Sequence, residues 1–351
     1  MPADVRLRIC QQGQRWRNRQ CFSGRFGLWR VHRIQLFRVR DLMQGGITIG
    51  TRGSKLALWQ AHWVREALMQ RNDGLRVDIT IIKTKGDKIL DVPLAKVGGK
   101  GLFVKEIEEA LLDQRIDLAV HSMKDMPAEL PDGLCIGAIP EREASHDVLI
   151  SRHGETLAGL GKGAVVGTSS LRRAAQLHNA RPDLSVIPLR GNLDTRLRKL
   201  DGGDMDAIVL AAAGVKRLGL AHRISENLVD EVMLPAAGQG ALCIEIRAKD
   251  TRTGTVVAAL DHGETRRAVL GERAFLHRMG GSCQVPIAAH GKMVGAQYHL
   301  AGLVAEVDGS HIISEKAEGS AEDTELIGIE LADRLLYRGA NRILERLQGD
   351  E

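Results

Sequence analysis

Short apolar runs alternate with amphipathic segments from Ile47 onward, and this alternation constrains the fold more than any other feature of the chain. Short runs are typical of buried strands, and apolar residues repeating every three or four positions are typical of helices facing a core. The first strand is predicted at 47–50 and the first helix at 54–70, with Ser54 as its N-cap. Alternating strands and helices predict βαβ units with parallel strands, and hence an α/β fold.

The alternation forms two successive blocks, separated near residues 140–145. Two such blocks predict two α/β domains that face a shared cleft. Gly238, Gln239 and Gly240 mark a candidate crossing from the second block back to the first. The other predicted strands of the two blocks are 77–84, 116–122, 147–151, 164–170, 184–191 and 206–214, and the other predicted helices are 103–114, 171–180 and 193–201.

The last part of the chain has a different pattern. A helix is predicted at 264–279, followed by the tight loop GGSCQVP at 280–286. The pair Asp308-Gly309 separates two further apolar segments, and such a pair between strands is a strong hairpin signal. A final helix is predicted at about 324–347. The pattern predicts a small α+β domain with an antiparallel sheet.

The N-terminal 42 residues differ in charge from the rest. They hold ten arginines, no lysine and two acids, so they contribute +8 to a net charge of +5 and leave −3 for the remainder. The body of the chain is therefore not a basic nucleic-acid binder. The segment lacks the apolar core of a secretory signal, and transit peptides are richer in serine. We expect residues 1–46 to be an unstructured Arg-rich extension, with Met43 as the natural first residue; organelle targeting and an RNA-binding arm are the alternatives.

Composition excludes some other classes of protein. No stretch of about 18 uncharged apolar residues occurs, so we expect no membrane span. The five cysteines lie far apart without a CxxC pair, which argues against a zinc site and favours a reducing compartment. We therefore expect no metal and a cytoplasmic location.

Cationic and hydroxyl side chains recur just after the predicted strands, where open α/β sheets bind ligands. Helix N-termini favour anions there, and arginine pairs with carboxylates through two hydrogen bonds. One such residue is usually a solvated surface charge, but repetition after five strands predicts a cleft for a ligand with several carboxylates or phosphates. The residues are Arg52, Ser54, Lys124, Thr168, Ser169, Ser170, Arg172, Arg173, Arg190, Arg196 and Arg217.

Two further features belong to the same predicted cleft. Asp125 is an acid beside Lys124, and it either caps a turn or holds and moves protons on a nitrogen-containing substrate. The segment KVGGKGLF at 96–103 is Gly-rich but is not a P-loop, because no Ser or Thr follows Lys100. We interpret it as a mobile lid whose Lys96 and Lys100 are available to anions.

Cys283 lies in GGSCQVP, between glycines and a proline. A cysteine is most often a buried core residue, but little bulk surrounds this one, so an exposed thiol is expected. No histidine or asparagine pattern marks it as a protease nucleophile.

Eight sequence blocks, spread from about residue 47 to residue 348, resemble the porphobilinogen deaminase family and occur in that family's order. Eight ordered blocks are more specific than any single motif, and residues 1–46 do not share the resemblance. The blocks are ITIGTRGSKLALWQA, PLAKVGGKGLFVKEIE, AVHSMKDMP, VGTSSLRRAAQL, LRGNLDTRLRKL, AAAGVKRLGL, LPAAGQGAL and GGSCQVPIAAH.

The resemblance implies a fold with three domains. Two would be α/β domains similar to type II periplasmic binding proteins around a cleft, and the third a small C-terminal α+β domain with an antiparallel sheet. On this chain they would comprise 47–140 with about 241–260, then 145–235, then 263–348.

The resemblance also implies a transferase of haem and other tetrapyrrole biosynthesis. Cys283 would carry a dipyrromethane cofactor through a thioether. Four porphobilinogen molecules would be condensed on it with loss of ammonia, and water would release hydroxymethylbilane. Asp125 would face the pyrrole N–H groups, where positive charge develops.

The remaining positions carried over from the family bind carboxylates, since each porphobilinogen unit has an acetate and a propionate. Cofactor binding is expected of Lys124, Ser170, Arg172, Arg173 and Arg196, and substrate binding of Arg52, Ser54, Lys96, Lys100, Thr168, Ser169, Arg190 and Arg217.

Two rival functions stay open on the residues alone. One is a binding protein for small anions with the same two-domain cleft, and the other is an anion-handling enzyme without the cofactor. Both predict a protein with no covalent adduct. With either, as with the family, we expect a small-molecule partner, no nucleic acid on the folded body, no membrane and a monomer.

Overall fold

The computed structural model of the chain describes residues 46–88, 104–281 and 285–349. Residues 1–45 of the predicted N-terminal extension, Lys96, Lys100 and Cys283 lie outside the described residues. The strands are β1 Ile47–Thr51, β2 Val77–Ile81, β3 Leu118–Ser122, β4 Leu134–Ala138, β5 Asp147–Ser151, β6 Val165–Gly167, β7 Ser185–Ile187, β8 Ala207–Ala211, β9 Glu226–Asn227, β10 Leu242–Arg247, β11 Ile287–Val294, β12 Gln297–Ala305 and β13 Ile312–Ser320.

Helices connect most of these strands. Short 3₁₀ turns lie at Met123–Asp125 and Ala221–Arg223, and a π turn lies at Leu336–Ala340. The α-helices are α1 Lys55–Arg71, α2 Lys85–Lys88, α3 Lys105–Leu112, α4 Leu171–Ala180, α5 Leu193–Asp201, α6 Ala212–Arg217, α7 Thr251–Ala258, α8 Gly263–Arg278, α9 Thr324–Leu335 and α10 Asn341–Gly349.

Two five-stranded sheets share one strand order. The first is β2-β1-β3-β10-β4 and the second is β7-β6-β8-β5-β9. We call each sheet with its flanking helices a lobe, lobe 1 and lobe 2. The third sheet is antiparallel, with order β11-β12-β13. The predicted fold class, two α/β units and a C-terminal antiparallel sheet, is confirmed.

Each lobe contains one antiparallel strand in addition to the predicted parallel βαβ units. The pairs of β1 with β2 and β3, and of β6 with β7 and β8, are parallel as predicted. However, β10 runs antiparallel to β3 and β4, and β5 runs antiparallel to β8 and β9. These two strands directly follow the segments in which the chain passes from one lobe to the other. Each crossing segment therefore leads into a strand that lies between two others in its sheet and not at the sheet's edge.

The amphipathic helices cover the sheets as their periodicity predicts. In lobe 1, Ile47 and Ile49 of β1 and Val64 and Leu68 of α1 are fully buried in one cluster. Lobe 2 and the C-terminal unit have clusters of their own, the latter around Phe275 between α8, α9 and the third sheet. Burying a side chain of this size contributes about 1.5–3 kcal/mol. Each sheet therefore has the apolar core that holds its edge residues in place.

Several predicted elements are shorter in the structure, among them the strands predicted at 77–84, 164–170 and 184–191, and two of the differences have a clear local cause. The strand expected at 206–214 ends at Ala211, and α6 begins at once, because the alanines that follow favour a helix. The final helix, expected at 324–347, is interrupted by the π turn, in which Gly339 has φ of 104°. In the described parts of the chain, no helix is long and apolar enough to cross a membrane.

Candidate active site

The helices that follow β1, β6 and β7 all begin with a side-chain cap, and these caps fix the site residues at the sheet edges. The Ser54 hydroxyl accepts a hydrogen bond from the Ala57 amide at 3.2 Å, and the Ser170 hydroxyl from the Arg173 amide at 3.4 Å. Asn192 caps α5 in the same way. A serine hydroxyl that accepts in a cap still has its O–H to donate, so Ser54 and Ser170 can each donate to an anion.

The other two predicted hydroxyls are used by the protein itself. Thr168 is buried, and its hydroxyl oxygen accepts a hydrogen bond from the Ser170 amide at 3.2 Å. The Ser169 hydroxyl donates to the Leu189 carbonyl at 2.9 Å. These bonds shape the turn between β6 and α4, and Ser169 has its single donor committed in this arrangement.

A fully buried carboxylate, Asp147, lies beneath the predicted arginine pair. Arg172 Nη2 lies 2.8 Å from Asp147 Oδ2, and Arg173 donates to Oδ1 from Nε at 3.0 Å and Nη2 at 2.7 Å. Burial raises the pKa of the Asp147 carboxyl, but Arg172, Arg173 and Lys124 outweigh this and lower the pKa to about 2. The carboxylate is therefore ionised at neutral pH.

The two arginines are held by further protein groups. Arg172 Nη1 donates to the Leu234 carbonyl at 2.7 Å, and Arg173 Nη1 donates to the Val209 carbonyl at 3.0 Å. Sequence reasoning singled out both arginines but missed Asp147. An acid directly before the buried run at 148–150 was the available signal, because a carboxylate at the start of a buried strand requires a partner.

Lys124 of lobe 1 joins this group through Gln239. Lys124 Nζ donates to Gln239 Oε1 at 3.4 Å, and Gln239 Nε2 donates to Asp147 Oδ1 at 3.0 Å and to the Ser145 carbonyl at 2.7 Å. Gln239 is fully buried. Burial, followed by the charge of Arg173, lowers the pKa of Lys124 to about 8, while Asp125 and Asp147 oppose the change.

Asp125 is exposed at the end of the 3₁₀ turn after β3. Its charge acts on Lys124 of lobe 1 and on Arg196 of lobe 2. Arg196 Nε donates to the Gly191 carbonyl at 2.9 Å. Burial, and then the charge of Arg173, lower the pKa of Arg196 to about 10. The structure thus brings the predicted acid into the electrostatic field of cations from both lobes.

Arg217 lies where the lobes meet. Its Nη2 donates to the Gly240 carbonyl at 2.8 Å, and its guanidinium stands 5.8 Å from the centre of the Trp59 ring on α1. Burial lowers the pKa of Arg217 to about 10, while Glu143 opposes the change. Arg52 and Arg190 are half-buried after β1 and β7.

The central cluster holds four cations, Lys124, Arg172, Arg173 and Arg196, against the two carboxylates of Asp125 and Asp147. The cations therefore outnumber the carboxylates, and they are partly desolvated and flanked by capped helix N-termini. Such a cluster is suited to a ligand with several carboxylates. Among the described residues, no group of three or more His, Cys, Asp or Glu side chains could hold a metal ion. Fold and site together define a two-lobed α/β protein with a cluster of cations contributed by both lobes.

Comparison with known proteins identifies the family. Residues 47–255 match the family model described as porphobilinogen deaminase, dipyromethane cofactor binding domain, and residues 266–337 match the C-terminal domain model of the same family. The porphobilinogen deaminase of Syntrophotalea carbinolica is 56% identical over 87% of this chain and 97% of its own length. That of Pelobacter propionicus is 54% identical over 86% and 97%. The chain belongs to the porphobilinogen deaminase family.

Membership gives the enzyme class and the cofactor. The chain is a transferase of tetrapyrrole biosynthesis, and the domain matched at 47–255 is the one that binds dipyrromethane in this family. Among solved structures, the periplasmic VFT2 domain of BvgS from Bordetella pertussis aligns with a TM-score of 0.38 and 15% identity, over 64% of this chain and 91% of that chain.

A dipyrromethane fits the residues of the cleft. It consists of two pyrrole rings, each with an acetate and a propionate, and therefore presents four carboxylates and two ring N–H donors. The cation excess around Asp147 matches the carboxylates, and the exposed Asp125 carboxylate matches the N–H donors. Cys283, the predicted attachment point, lies in sequence between α8 and β11 but outside the described residues.

Proposed function

We propose that this chain condenses four porphobilinogen molecules head to tail on a dipyrromethane attached to Cys283, releasing ammonia and then hydroxymethylbilane. The observation that carries the proposal is that the charge of Asp125 acts on both Lys124 and Arg196, cations that belong to different lobes. A binding protein for small anions needs the cations but has no use for a carboxylate exposed among them.

Asp125 is the proposed catalytic residue. Its carboxylate accepts hydrogen bonds from pyrrole N–H groups and stabilises the positive charge that develops on the ring nitrogen as ammonia leaves. It is also placed to take up the proton that the new bond displaces. When bound, the dipyrromethane supplies the pyrrole carbon to which the first porphobilinogen unit is joined.

The cations and hydroxyls hold carboxylates. We assign Lys124, Ser170, Arg172, Arg173 and Arg196 to the cofactor. Arg172, Arg173 and Lys124 surround Asp147, Ser170 caps the helix that carries the arginine pair, and Arg196 lies in the electrostatic field of Arg173 and Asp125. Thr168 only accepts a hydrogen bond from the Ser170 amide, so its O–H is available to a carboxylate. The Ser169 hydroxyl donates to the Leu189 carbonyl and would have to rotate away from it to reach a ligand. The substrate and the growing chain are assigned to Arg52, Ser54, Lys96, Lys100, Thr168, Ser169, Arg190 and Arg217.

The sheets support a division into three domains, comprising 47–140 with about 241–260, then 145–235, then 263–348. The boundaries follow from the two lobe crossings and from the separate core of the C-terminal unit. We further propose a cytoplasmic monomer whose partner is porphobilinogen, with neither nucleic acid nor membrane bound by the folded body.

The test is the intact mass of the purified protein before and after addition of porphobilinogen, with the adduct mapped by peptide analysis. We expect a resting excess equal to a dipyrromethane on Cys283, and species one pyrrole apart after substrate. Asp125→Asn keeps the shape but removes the charge, so turnover should fall by about 100-fold or more. Asp132→Asn, at an exposed position in a nearby turn, is the matched control and should turn over normally.

Two results would contradict the proposal. A protein whose mass stays that of the unmodified chain, whatever substrate or product is supplied, would favour the anion-binding alternative. Near-normal turnover by a folded Asp125→Asn variant would remove Asp125 from the chemistry and leave the cofactor assignment intact.

A further inference from the structure

The cation cluster is organised around a residue that is not expected to contact any ligand. Asp147 begins β5, the strand by which the chain enters lobe 2, and its side chain is fully buried. Gln239 lies just before β10, the strand by which the chain returns to lobe 1. The 3.0 Å hydrogen bond from Gln239 Nε2 to Asp147 Oδ1 thus joins the two crossings.

Each partner of this pair reaches toward one half of the site. Asp147 binds Arg172 and Arg173 at the start of α4 in lobe 2. Gln239 accepts a hydrogen bond from Lys124, which neighbours Asp125 in lobe 1. A series of contacts therefore runs from one lobe to the other, from Lys124 through Gln239 and Asp147 to the arginine pair.

We propose that Asp147 is a positioning residue for the condensation reaction. Asp147 fixes the arginine pair of lobe 2 directly, and it fixes the Lys124 ammonium of lobe 1 through Gln239. Both sets of cations are thereby held in a single arrangement near Asp125. The proposal rests on the proposed function for its catalytic consequence, but the arrangement can be tested without it. Asp147 is fully buried and supplies negative charge that a ligand does not contact. The cations are therefore held in place before a carboxylate of the ligand binds.

Lys124 is the group through which Asp147 can be observed. The negative charge of Asp147 favours the protonated amine, whereas burial and the arginines disfavour it. Removal of the Asp147 charge should therefore lower the pKa of Lys124 below its value of about 8. A carboxylate at position 239, within hydrogen-bond distance of Nζ, should raise it. The charged groups that act most strongly on Lys124 are Asp125 on the same turn, Arg172 and Arg173 on α4, and Asp147 on β5.

Two variants should shift the titration midpoint of Lys124 in opposite directions, and this distinguishes positioning from a general loss of structure. Asp147→Asn should move the titration midpoint of Lys124 down by about one pH unit, and Gln239→Glu should move it up by a similar amount. Glu245→Gln is the matched control, because Glu245 is also a fully buried carboxylate, but it pairs with His121 in lobe 1 and is not among the charges that act most strongly on Lys124. That variant should leave the midpoint unchanged.

The midpoint is measured on the protein as isolated, by brief acetylation with acetic anhydride at a series of pH values and peptide mass spectrometry of the segment that contains Lys124. Only the unprotonated amine reacts, and the Lys124 residue is partly exposed. The pH profile of kcat/KM with porphobilinogen is recorded in parallel, and its alkaline limb should move in the same direction as the labelling midpoint in each variant.

The outcomes are distinct. A Lys124 midpoint that stays constant or rises in folded Asp147→Asn overturns the proposal, as does a midpoint that falls in Gln239→Glu. If Asp147→Asn does not fold, Gln239→Glu alone decides. If the labelling shifts occur but the unsubstituted protein turns over no porphobilinogen, the arrangement stands and the proposed function fails.

Discussion

At the residue scale, lobe 1 buries two neighbouring carboxyl groups away from the cleft. Glu245 is fully buried, and its Oε2 lies 3.1 Å from His121 Nε2. Glu108 on α3 is 7% exposed. One oxygen of each carboxyl group has no hydrogen-bond partner among the described residues. Burial, followed by the charge of Glu245, raises the pKa of Glu108 to about 7.

This raised pKa gives a signed prediction for Glu108→Gln. Below the unfolded pKa of about 4.5 the carboxyl group is neutral in both states; as pH rises toward 7 the unfolded state ionises first, so the folded protein loses stability. Gln cannot ionise and avoids this loss. We expect Glu108→Gln to unfold with a free energy about 2 kcal/mol higher than the unsubstituted protein at pH 8, and nearly equal at pH 4. Urea denaturation at the two pH values measures both differences.

Glu109→Gln is the control for that experiment, since Glu109 is the exposed neighbour on the same helix. It should change the free energy of unfolding by similar small amounts at pH 4 and pH 8. A Glu108→Gln effect that is the same at both pH values would mean that Glu108 titrates in the folded protein as it does in water.

The same scale shows what the sequence could and could not predict about the site. Asp125 and Lys124 were found because an acid beside a cation after a strand is unusual. Asp147 was missed, since an acid before an apolar run also fits an ordinary strand start. Its partners Arg172 and Arg173 follow 25 and 26 residues later on another element, and only the tertiary structure reveals that pairing.

At the element scale, local signals predicted helices better than crossing strands. The helices α4 and α5 have the predicted bounds, because Ser170 and Asn192 satisfy the first free amides and so fix where each helix begins. Neither β4 nor β10 was predicted as a strand. Both pair across large separations in sequence, which no short-range pattern records.

The C-terminal unit offers a prediction at this scale, in the contact between α8 and α9. A Cβ added at Gly328 of α9 would lie 2.3 Å from the Gly271 carbonyl oxygen and 3.0 Å from the Phe275 amide nitrogen of α8. These are backbone atoms of α8, which cannot move away unless the two helices separate. Gly328→Ala should therefore destabilise the protein by about 2 kcal/mol, although alanine is the better helix former.

Thermal and urea unfolding of Gly328→Ala measure that cost. Glu330→Ala, an exposed change on the same helix, provides the control and should alter the free energy of unfolding by less than about 0.5 kcal/mol. A Gly328→Ala variant more stable than the unsubstituted protein would show that α8 and α9 have room to separate.

At the scale of the whole molecule, a buried carboxylate on α8 joins the C-terminal unit to both lobe crossings. Glu272 is fully buried, and its oxygens accept hydrogen bonds from Arg142 Nη1 at 2.6 Å, from the Gly238 amide at 2.6 Å and from the Gly291 amide at 2.7 Å. Arg142 precedes β5, and Gly238 precedes β10. The order of predicted elements indicated the separate units, but nothing in the sequence indicated this junction.

The last prediction concerns that junction. Glu272→Gln removes the negative charge that balances Arg142 and places an amide NH₂ group among donors, so it should cost about 3–5 kcal/mol. Because the broken bonds lie between units, denaturation should also become less cooperative, with the C-terminal unit melting separately in calorimetry. Arg278→Ala breaks an exposed ion pair with Asp333 between α8 and α9 and should cost less than about 1 kcal/mol. A single sharp transition of undiminished stability in Glu272→Gln would mean that apolar packing alone holds the units together.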